Sequence, residues 1–191
     1  MSPRTKEQNE EIKRNKEIHI IESALKLFAV DGYSSTSMQS ISKYSGVSKG
    51  NLYNYFESKE DLLEGVLNYG LAQFAELFSS YMPDIKTEID FEQAIRGNFE
   101  MIKSNNDFWK LYYNMVAQPK VQTLFQKVFA PFLEQYMSIF ENYYRSKGEE
   151  NPQAMSLLLG SSLDGISLGY ILMGEMYPLD DVLKQLIKKF K

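Results

Sequence analysis

Apolar residues recur at intervals of three and four along most of this chain, which is the spacing of one face of an α-helix. Between Glu11 and Val30, for example, Ile18, Ile21 and Leu25 follow this spacing. No stretch alternates apolar and polar residues over the length of a β-strand. The pattern therefore predicts an all-α fold.

The same spacing predicts a series of helices separated by short turns and prolines. Asp31-Gly32 is expected to end the first helix, and Pro83 the fourth. Pro131 is interpreted as the start of a new helix, although it could instead kink one longer helix. The predicted helices cover residues 11–30, 38–44, a short stretch from 48, then 58–82, 90–104, 107–117, 120–129, 131–147, 152–176 and 179–191.

Two short helices near the N-terminus are joined by the turn Ser45-Gly46-Val47. Three residues with a central glycine are the spacing of a helix-turn-helix, although many unrelated helix pairs are joined in this way. In the second of these helices, which begins at Ser48, Leu52 and Phe56 lie four apart and are expected to face the core. The remaining side chains of this helix are then left on its other faces.

Those remaining side chains have the chemistry of a DNA-reading surface. Lysine, asparagine and tyrosine supply the donors and acceptors that meet phosphates and base edges in a major groove. Gly50 would let the helix approach a sugar-phosphate backbone closely, and the amides near Ser48 favour an anion. An ordinary surface helix, with tyrosines covering apolar neighbours, explains the spacing equally well.

A longer stretch of sequence decides between these readings. The runs FAVDGYSSTS, residues 28–37, and QSISKYSGVSKGNLYNYFESKEDLL, residues 39–63, closely resemble the DNA-binding domain of TetR/AcrR-family transcriptional regulators. The resemblance covers about residues 16–66. It implies a helical homodimer of about nine or ten helices per subunit, with an N-terminal three-helix DNA-binding domain. It also implies a C-terminal domain that binds a small effector.

The resemblance also implies roles for individual residues. Tyr53 and Lys59 take phosphate-contacting positions, and Thr36 or Ser37 contacts the DNA backbone at the start of the preceding helix. Asn54 departs from the larger aromatic residue or histidine often present at its position. The residues that fall on the recognition helix are Lys49, Gly50, Asn51, Tyr53, Asn54 and Tyr55.

Base recognition and operator symmetry follow from the chemistry of these side chains and from a twofold dimer. Lysine prefers guanine acceptors and asparagine prefers adenine, so Lys49, Asn51 and Asn54 are the expected base readers. Two half-sites about one helical turn apart or more would form a roughly palindromic operator in double-stranded DNA. The basic residues of the N-terminus either add backbone or minor-groove contacts or belong to a solvated, partly disordered tail. They are Arg4, Lys6, Lys13, Arg14 and Lys16.

Composition argues against an enzyme or a metalloprotein. The chain has no cysteine and one histidine, His19, which removes thiolate and most zinc chemistry. We expect His19 to be packed or on the surface, and we predict no metal and no cofactor. The formal net charge is −4, but residues 1–59 carry nine basic and seven acidic side chains, a net +2. The N-terminal third is therefore the region expected to bind a polyanion.

The long predicted helix from Ser58 would measure roughly 37 Å at 1.5 Å per residue, enough to join two domains. We expect a DNA-binding domain over residues 1–60 and an effector-binding and dimerisation domain over residues 61–191. The N-terminus is charged where a signal peptide would be apolar, which predicts a cytoplasmic protein with no membrane association.

Aromatic residues concentrate in NNDFWKLYYNMVAQP, residues 105–119. Helical spacing places Phe108, Tyr112 and Met115 on one face, with Trp109 and Tyr113 on the adjacent face. Such a surface suits an apolar or aromatic small-molecule effector, and these five residues are the predicted effector site. For any single one of them, a place in an ordinary helical core is the favoured alternative.

The run LLLGSSLDGISLGYILMG, residues 157–174, contains small residues that would permit close approach of another helix. The family resemblance implies a dimer interface built from this helix and the helix over residues 131–147. The run is expected to be too short, and too interrupted by Asp164 and Glu175, to span a membrane. Asp164 is expected to cap, to lie in the interface or to enter the effector cavity.

The sequence thus predicts a homodimeric regulator, most simply a repressor that a small effector releases from its operator. The effector would act by shifting the population between two dimer geometries. One alternative is a DNA-binding protein of the same fold that activates transcription, organises the chromosome or is controlled by a protein partner. A helical enzyme is disfavoured because no nucleophile-base pair, metal cluster or phosphate-cradling loop is present.

Overall fold

The computed structural model describes residues 5–81 and 85–191, and for residues 76–81 it describes only the helical backbone. Within these ranges there are nine α-helices and no β-strand, so the all-α prediction is confirmed. A π-helical segment, Phe28–Gly32, follows the first helix, and a 3₁₀ turn, Gly174–Met176, follows the eighth. The α-helices are α1 Lys6–Leu27, α2 Met38–Ser45, α3 Lys49–Tyr53, α4 Lys59–Tyr81, α5 Glu88–Ser104, α6 Asn106–Val116, α7 Pro119–Ser146, α8 Pro152–Met173 and α9 Leu179–Phe190.

The helices form two compact units. The first unit comprises residues 1–70 together with 111–128, and the second comprises residues 71–110 together with 129–191. Helices α4, α6 and α7 each contribute residues to both units. Each unit has its own set of buried side chains, and the two are described separately below.

In the first unit, α1, α2 and α3 pack around a small apolar core. Local capping defines the helices: the Ser37 hydroxyl accepts from the Ser40 N–H and caps α2, and the Ser48 hydroxyl caps α3. Gly46 ends α2 with a φ of 69°, a left-handed conformation that glycine adopts without strain. The side chains with no exposed surface include Ile20, Ala24, Phe28, Ile41, Leu52, Leu62, Val66 and Val121.

Helix α1 starts earlier than its apolar pattern predicts, at Lys6 rather than Glu11. Thr5 and Gln8 form a reciprocal capping box, which fixes the start of the helix through polar contacts that apolar periodicity cannot register. The basic residues Lys13 and Arg14 are therefore helical and exposed. For these two residues, the expectation of a partly disordered tail was wrong. Arg4 lies outside the described residues. At its other end α1 changes to the π-helical segment at Phe28, and that segment ends at Gly32.

Helix α7 is continuous from Pro119 to Ser146 and contains Pro131. The division into two helices was therefore wrong, and the alternative of one longer helix is confirmed. Pro131 removes one intrahelical hydrogen bond to the carbonyl four residues earlier, that of Lys127. Both residues are exposed. Water can reach that carbonyl, so the helix continues. The predicted end of the fourth helix at Pro83 lies outside the described residues.

The second unit has a core rich in aromatic side chains, to which α5, α7, α8 and α9 contribute. Phe91 of α5 stacks on Tyr143 of α7 with ring centroids 4.9 Å apart. Gly160 of α8 lies against α7, since a Cβ at this position would be 3.4 Å from Met137 Sδ. The predicted close helix approach is thus observed within one chain at Gly160. Gly165 has no neighbour of this kind among the residues that the structure describes.

One face of α8 is apolar and exposed. Leu172 is 69% exposed, and Asp164 lies among these exposed residues. By length and composition alone, the segment 152–176 could cross a membrane. That segment is longer than residues 157–174, the run that was expected to be too short for a membrane span. The exposed apolar side chains of α8 are Leu157, Leu158, Leu168, Leu172 and Met173.

Candidate functional site

Helices α2 and α3 and the turn between them form a helix-turn-helix. Leu52 is fully buried and Phe56 is 5% exposed, which confirms the prediction that these two residues face the core. The other predicted DNA-contacting residues of this stretch lie at the surface. Those that are exposed are Ser48, Lys49, Gly50, Tyr53 and Asn54, and Asn51 and Tyr55 are partly buried.

Helix α3 ends at Tyr53, earlier than the family resemblance implies. Asn54 is its C-cap, and its N–H donates to the Asn51 carbonyl at 3.2 Å. Tyr55 follows in a turn, because Phe56 returns to the core and the next helix begins three residues later. Asn54 and Tyr55 are therefore presented from the turn after the recognition helix. Their placement on that helix was wrong.

The turn of this motif is held by side chains. The Ser42 hydroxyl donates to the Val47 carbonyl at 2.6 Å, and His19 Nε2 of α1 donates to the Ser45 carbonyl at 2.9 Å. His19 thus ties α1 to the end of α2, a structural role that a lone histidine in the sequence does not reveal. Among the residues that the structure describes, no group of three or more histidine and carboxylate side chains is placed to hold a metal ion.

Of the two residues expected at the start of α2, the structure favours Ser37. Ser37 is exposed, whereas Thr36 is 4% exposed and its hydroxyl donates to the Gly32 carbonyl at 2.9 Å. The Lys59 ammonium donates to the carbonyls of Tyr33 and Thr36, each at 2.9 Å. Lys59 therefore binds the chain segment before α2. Its role as a phosphate contact stays a prediction.

Tyr33 lies at the centre of that segment, in the first unit. Its hydroxyl donates to the Glu60 carboxylate at 3.1 Å, and burial together with this carboxylate raises the pKa of Tyr33 to about 12. The Lys59 ammonium lies 4.4 Å from the Tyr33 ring centroid. The Tyr33 N–H donates to Gln118 Oε1 at 2.7 Å. The role of Gln118 could not be recognised from local sequence, because its hydrogen-bond partners are 85 and 90 residues away.

The charge of the helix-turn-helix suits a polyanion. The sequence from Gly32 to Phe56 contains Lys43 and Lys49 and no acidic residue. Both lysines are exposed. A surface with exposed ammonium, amide and phenol groups and no carboxylate can contact both phosphates and base edges.

The structure divides the five predicted effector residues between the two units. Phe108 and Trp109 belong to the second unit, and Tyr112, Tyr113 and Met115 belong to the first. All are buried except Tyr113, which is partly buried. The Tyr112 hydroxyl donates to the Leu67 carbonyl of α4 at 3.1 Å, and burial raises the pKa of Tyr112 well above its usual value. Tyr112 therefore serves as a neutral donor inside the first unit.

The second unit contains a row of aromatic rings that the sequence analysis missed. Along α7 the rings recur at spacings of three and four, a signal that was available in the sequence. The ring centroid of Phe132 lies 6.1 Å from that of Phe74 of α4, and the Phe74 centroid lies 4.4 Å from that of Trp109 of α6. We call these residues the aromatic row: Phe74, Trp109, Phe129, Phe132, Tyr136 and Phe140.

A second feature of this unit is a polar pocket of about 220 Å³ where α7 and α9 end. Lys147 and Lys191 line it, and both pair with Glu88, at 3.0 and 3.4 Å. The hydrogen bond from Lys147 lowers the pKa of the Glu88 carboxyl. The pocket is thus bordered by paired charges and differs in chemistry from the aromatic row.

Comparison with known proteins places this architecture in a family. Residues 20–66, which contain α2 and α3, match the model of "Bacterial regulatory proteins, tetR family". "Uncharacterized HTH-type transcriptional regulator YuxN" of Bacillus subtilis (strain 168) is 33% identical over 166 residues. That match covers 83% of this chain and 54% of YuxN. The "Fatty acid metabolism regulator protein" of the same organism is 38% identical over 64 residues, which cover 34% of this chain and 33% of that protein.

The chain spans about half the length of the first of these curated relatives and about a third of the second. Among solved structures, the transcriptional regulator FadR from Bacillus subtilis in complex with stearoyl-CoA has a TM-score of 0.73. Its likeness covers 91% of this chain and 96% of that one at 17% sequence identity, and shows the shared fold. The matched segment, together with its helix-turn-helix, is a DNA-binding domain of the tetR family of bacterial regulatory proteins.

Proposed function

We propose that this protein is a homodimeric, sequence-specific DNA-binding regulator of transcription, and that it represses until a small molecule releases it from a palindromic operator. The observation that carries the proposal is the surface of the helix-turn-helix. It presents Lys49 and Tyr53 of α3 and Asn54 of the following turn to solvent, within a segment, residues 32–56, that contains no acidic residue. The buried Leu52 fixes α3 in place.

The side chains of this surface fall into two groups, those that we propose to contact DNA bases and those that we propose to contact phosphates. Lys49 and Asn51, in the first turn of α3, are the base readers that we propose for the major groove. Asn54 extends this reading from the turn after α3. Tyr53, which is 44% exposed, and Ser37 contribute phosphate contacts, which set register and carry no sequence information.

The dimer that we propose forms through the exposed apolar face of α8. An apolar face of this kind on a soluble protein marks an interaction surface. Asp164 lies near the middle of the segment that could span a membrane, and a carboxylate there would be costly in a bilayer. A twofold interface would instead leave Asp164 near polar atoms or water. The family resemblance adds the last part of α7 to the interface, as a four-helix bundle.

We retain, as part of the proposal, the two functional domains expected from the sequence. Residues 1–60 read DNA, and residues 61–191 provide effector binding and dimerisation. The aromatic row belongs to the second of these regions and is our candidate effector site, in place of the tyrosines that pack inside the first unit. Trp109 and Phe140 of the row are buried, and its other rings are partly exposed. Long apolar ligands suit a surface built mainly from phenylalanine rings.

The experiment that tests DNA reading is selection of tight binders from a random duplex pool across a salt series. The protein is expected to recover a palindrome whose affinity falls steeply with salt, because phosphate contacts release counterions. The Lys49→Ala variant is expected to bind that palindrome at least about 30-fold more weakly. Each lost base contact costs roughly 1–3 kcal/mol, and a dimer loses two.

The matched control is Lys184→Ala, which removes an exposed lysine of α9 and should leave operator affinity unchanged. Recovery of no motif by the wild-type protein would overturn sequence-specific reading. Equal affinity of the Lys49→Ala variant and the wild type would remove Lys49 from the interface and leave the rest of the surface to be mapped.

The effector proposal is that a long-chain acyl group lies against the aromatic row. Its support is the apolar chemistry of the row, together with one relative named for fatty acid metabolism and one structural neighbour bound to stearoyl-CoA. Trp109 is the only tryptophan of the chain and contacts Phe74, so its fluorescence reports on this surface. Stearoyl-CoA is expected to change that fluorescence and to release the operator.

Free coenzyme A is the control ligand, because it carries the nucleotide and phosphates without the acyl chain. The Phe132→Ala variant should weaken the stearoyl-CoA response, since it removes a ring that contacts Phe74. An identical response to coenzyme A alone would assign binding to the phosphates rather than to the aromatic row. No response to either ligand would reject the acyl class.

A further inference from the structure

One side chain ties the turn between α6 and α7 to the segment between α1 and α2. Gln118 Nε2 donates to the Phe28 carbonyl at 2.6 Å, and Gln118 Oε1 accepts from the Tyr33 N–H at 2.7 Å. Both partners are backbone groups, and all three residues belong to the first unit. We call this pair of hydrogen bonds the Gln118 bridge.

The bridge spans the π-helical segment. Phe28 is the first residue of that segment, and Tyr33 directly follows its last residue, Gly32. A helix end leaves carbonyl and N–H groups that need partners from outside the helix. A neutral amide supplies one acceptor and a donor on the same planar group, which neither a lysine nor an ionised glutamate can do.

The segment is held from two sides. Gln118 binds the N–H of Tyr33, and Lys59 at the start of α4 binds its carbonyl. Tyr33 is therefore anchored by α4 and by the α6–α7 turn, five residues before Met38, the first residue of the helix-turn-helix.

The position of Gln118 in the chain gives the bridge its significance. Helices α6 and α7 flank it, and both contribute residues to the second unit, where the aromatic row lies. A displacement of either helix would therefore reach Gln118 through a continuous backbone. The Gln118 bridge is a contact that would pass such a displacement to the segment leading into α2.

We propose that Gln118 is a positioning residue that orients the helix-turn-helix for a palindromic operator. This inference rests on the proposed function. A palindrome requires both recognition helices of a dimer at the correct separation, whereas a half-site requires one helix. Without the bridge, only a fraction of dimers has the correct geometry, and the apparent dissociation constant rises by the inverse of that fraction.

The test compares the Gln118→Met variant, which keeps the size of the side chain and removes both hydrogen bonds, with the wild type. The probes are the palindrome recovered by selection and a duplex carrying one half of it. The variant is expected to bind the palindrome about tenfold more weakly and the half-site unchanged. The matched control is Gln122→Met, because Gln122 lies one turn along α7 and its side-chain amide donates to the nearby Ala117 carbonyl, at 3.5 Å, rather than to the segment before α2.

Each outcome has a distinct meaning. Unchanged palindrome affinity in Gln118→Met would overturn the positioning role alone. A parallel loss for palindrome and half-site, with a lower midpoint of thermal unfolding, would also overturn it and show that Gln118 only stabilises the fold. A wild type that selects no palindrome would overturn the proposed function, and the positioning role with it.

If Gln118→Met does not fold, Gln118→Glu provides the second variant. An ionised glutamate keeps the acceptor for Tyr33 and places an oxygen against the Phe28 carbonyl, so the bridge loses one bond. Selective loss of palindrome affinity is again the expected result. Equal affinity of Gln118→Glu and the wild type for the palindrome would reject the proposal.

Discussion

Replacement of Gly70 by alanine is expected to destabilise the protein by about 2 kcal/mol, although alanine normally favours a helix over glycine by about 1 kcal/mol. A Cβ at Gly70 of α4 would lie 2.1 Å from Tyr112 Cε2 and 2.5 Å from Cζ. The Tyr112 ring has little freedom to withdraw, since it is 4% exposed and its hydroxyl donates to the Leu67 carbonyl. The added methyl group must therefore displace the ring or the helix.

Urea unfolding monitored by circular dichroism measures this loss, and Gly50→Ala is the control. A Cβ at Gly50 meets no atom within 4 Å, so that variant should be neutral or up to about 1 kcal/mol more stable. In a Tyr112→Leu background the additional cost of Gly70→Ala should shrink, because the two positions are in contact and their effects couple. A Gly70→Ala protein as stable as the wild type would show that the ring can move.

The second large effect is expected at the proposed dimer interface. Leu168→Glu places a carboxylate on the exposed apolar face of α8, where Leu168 is 44% exposed. A twofold interface buries the substitution twice, and an unpaired buried charge is costly. We expect the dimer dissociation constant to rise at least about 100-fold, a free-energy change of roughly 2.7 kcal/mol.

Sedimentation velocity across a concentration series measures this change. Ile89→Glu is the matched control, because Ile89 of α5 is 69% exposed and lies outside the α8 face. Its dimer should remain intact. A Leu168→Glu protein that stays dimeric would place the interface elsewhere, and operator binding by a stable monomer would contradict the palindromic mode of reading.

Local sequence information was sufficient for the helices and for the helix-turn-helix. Apolar spacing, Gly46 and the serine caps act within a few residues, and the structure contains each of them. The wrong start of α1 and the wrong break in α7 also have local causes, but apolar spacing does not reveal them. The capping box at Thr5 is polar and leaves no apolar periodicity, and the exposed position of Pro131 lets a helix continue where proline usually ends one.

The site was less accessible to sequence reasoning wherever contacts are distant along the chain. The surface lysine and asparagine of α3 could be identified from their neighbours, because Leu52 fixes which face is buried. Lys59 could not, since its carbonyl partners precede it by 23 and 26 residues. Gln118 is an extreme case, with partners that only the folded chain brings near it.

The first unit is assembled from two stretches of chain with residues 71–110 between them. It therefore cannot be completed during synthesis until residue 128 has left the ribosome, and the intervening loop must close first. A chimaera joined after residue 70 would lack Tyr112, Gln118 and Val121, which pack or bond inside that unit. The DNA-reading unit that we propose is therefore not expected to fold without residues 111–128. Exchange of sensing regions between such regulators would have to carry residues 111–128 with the reader.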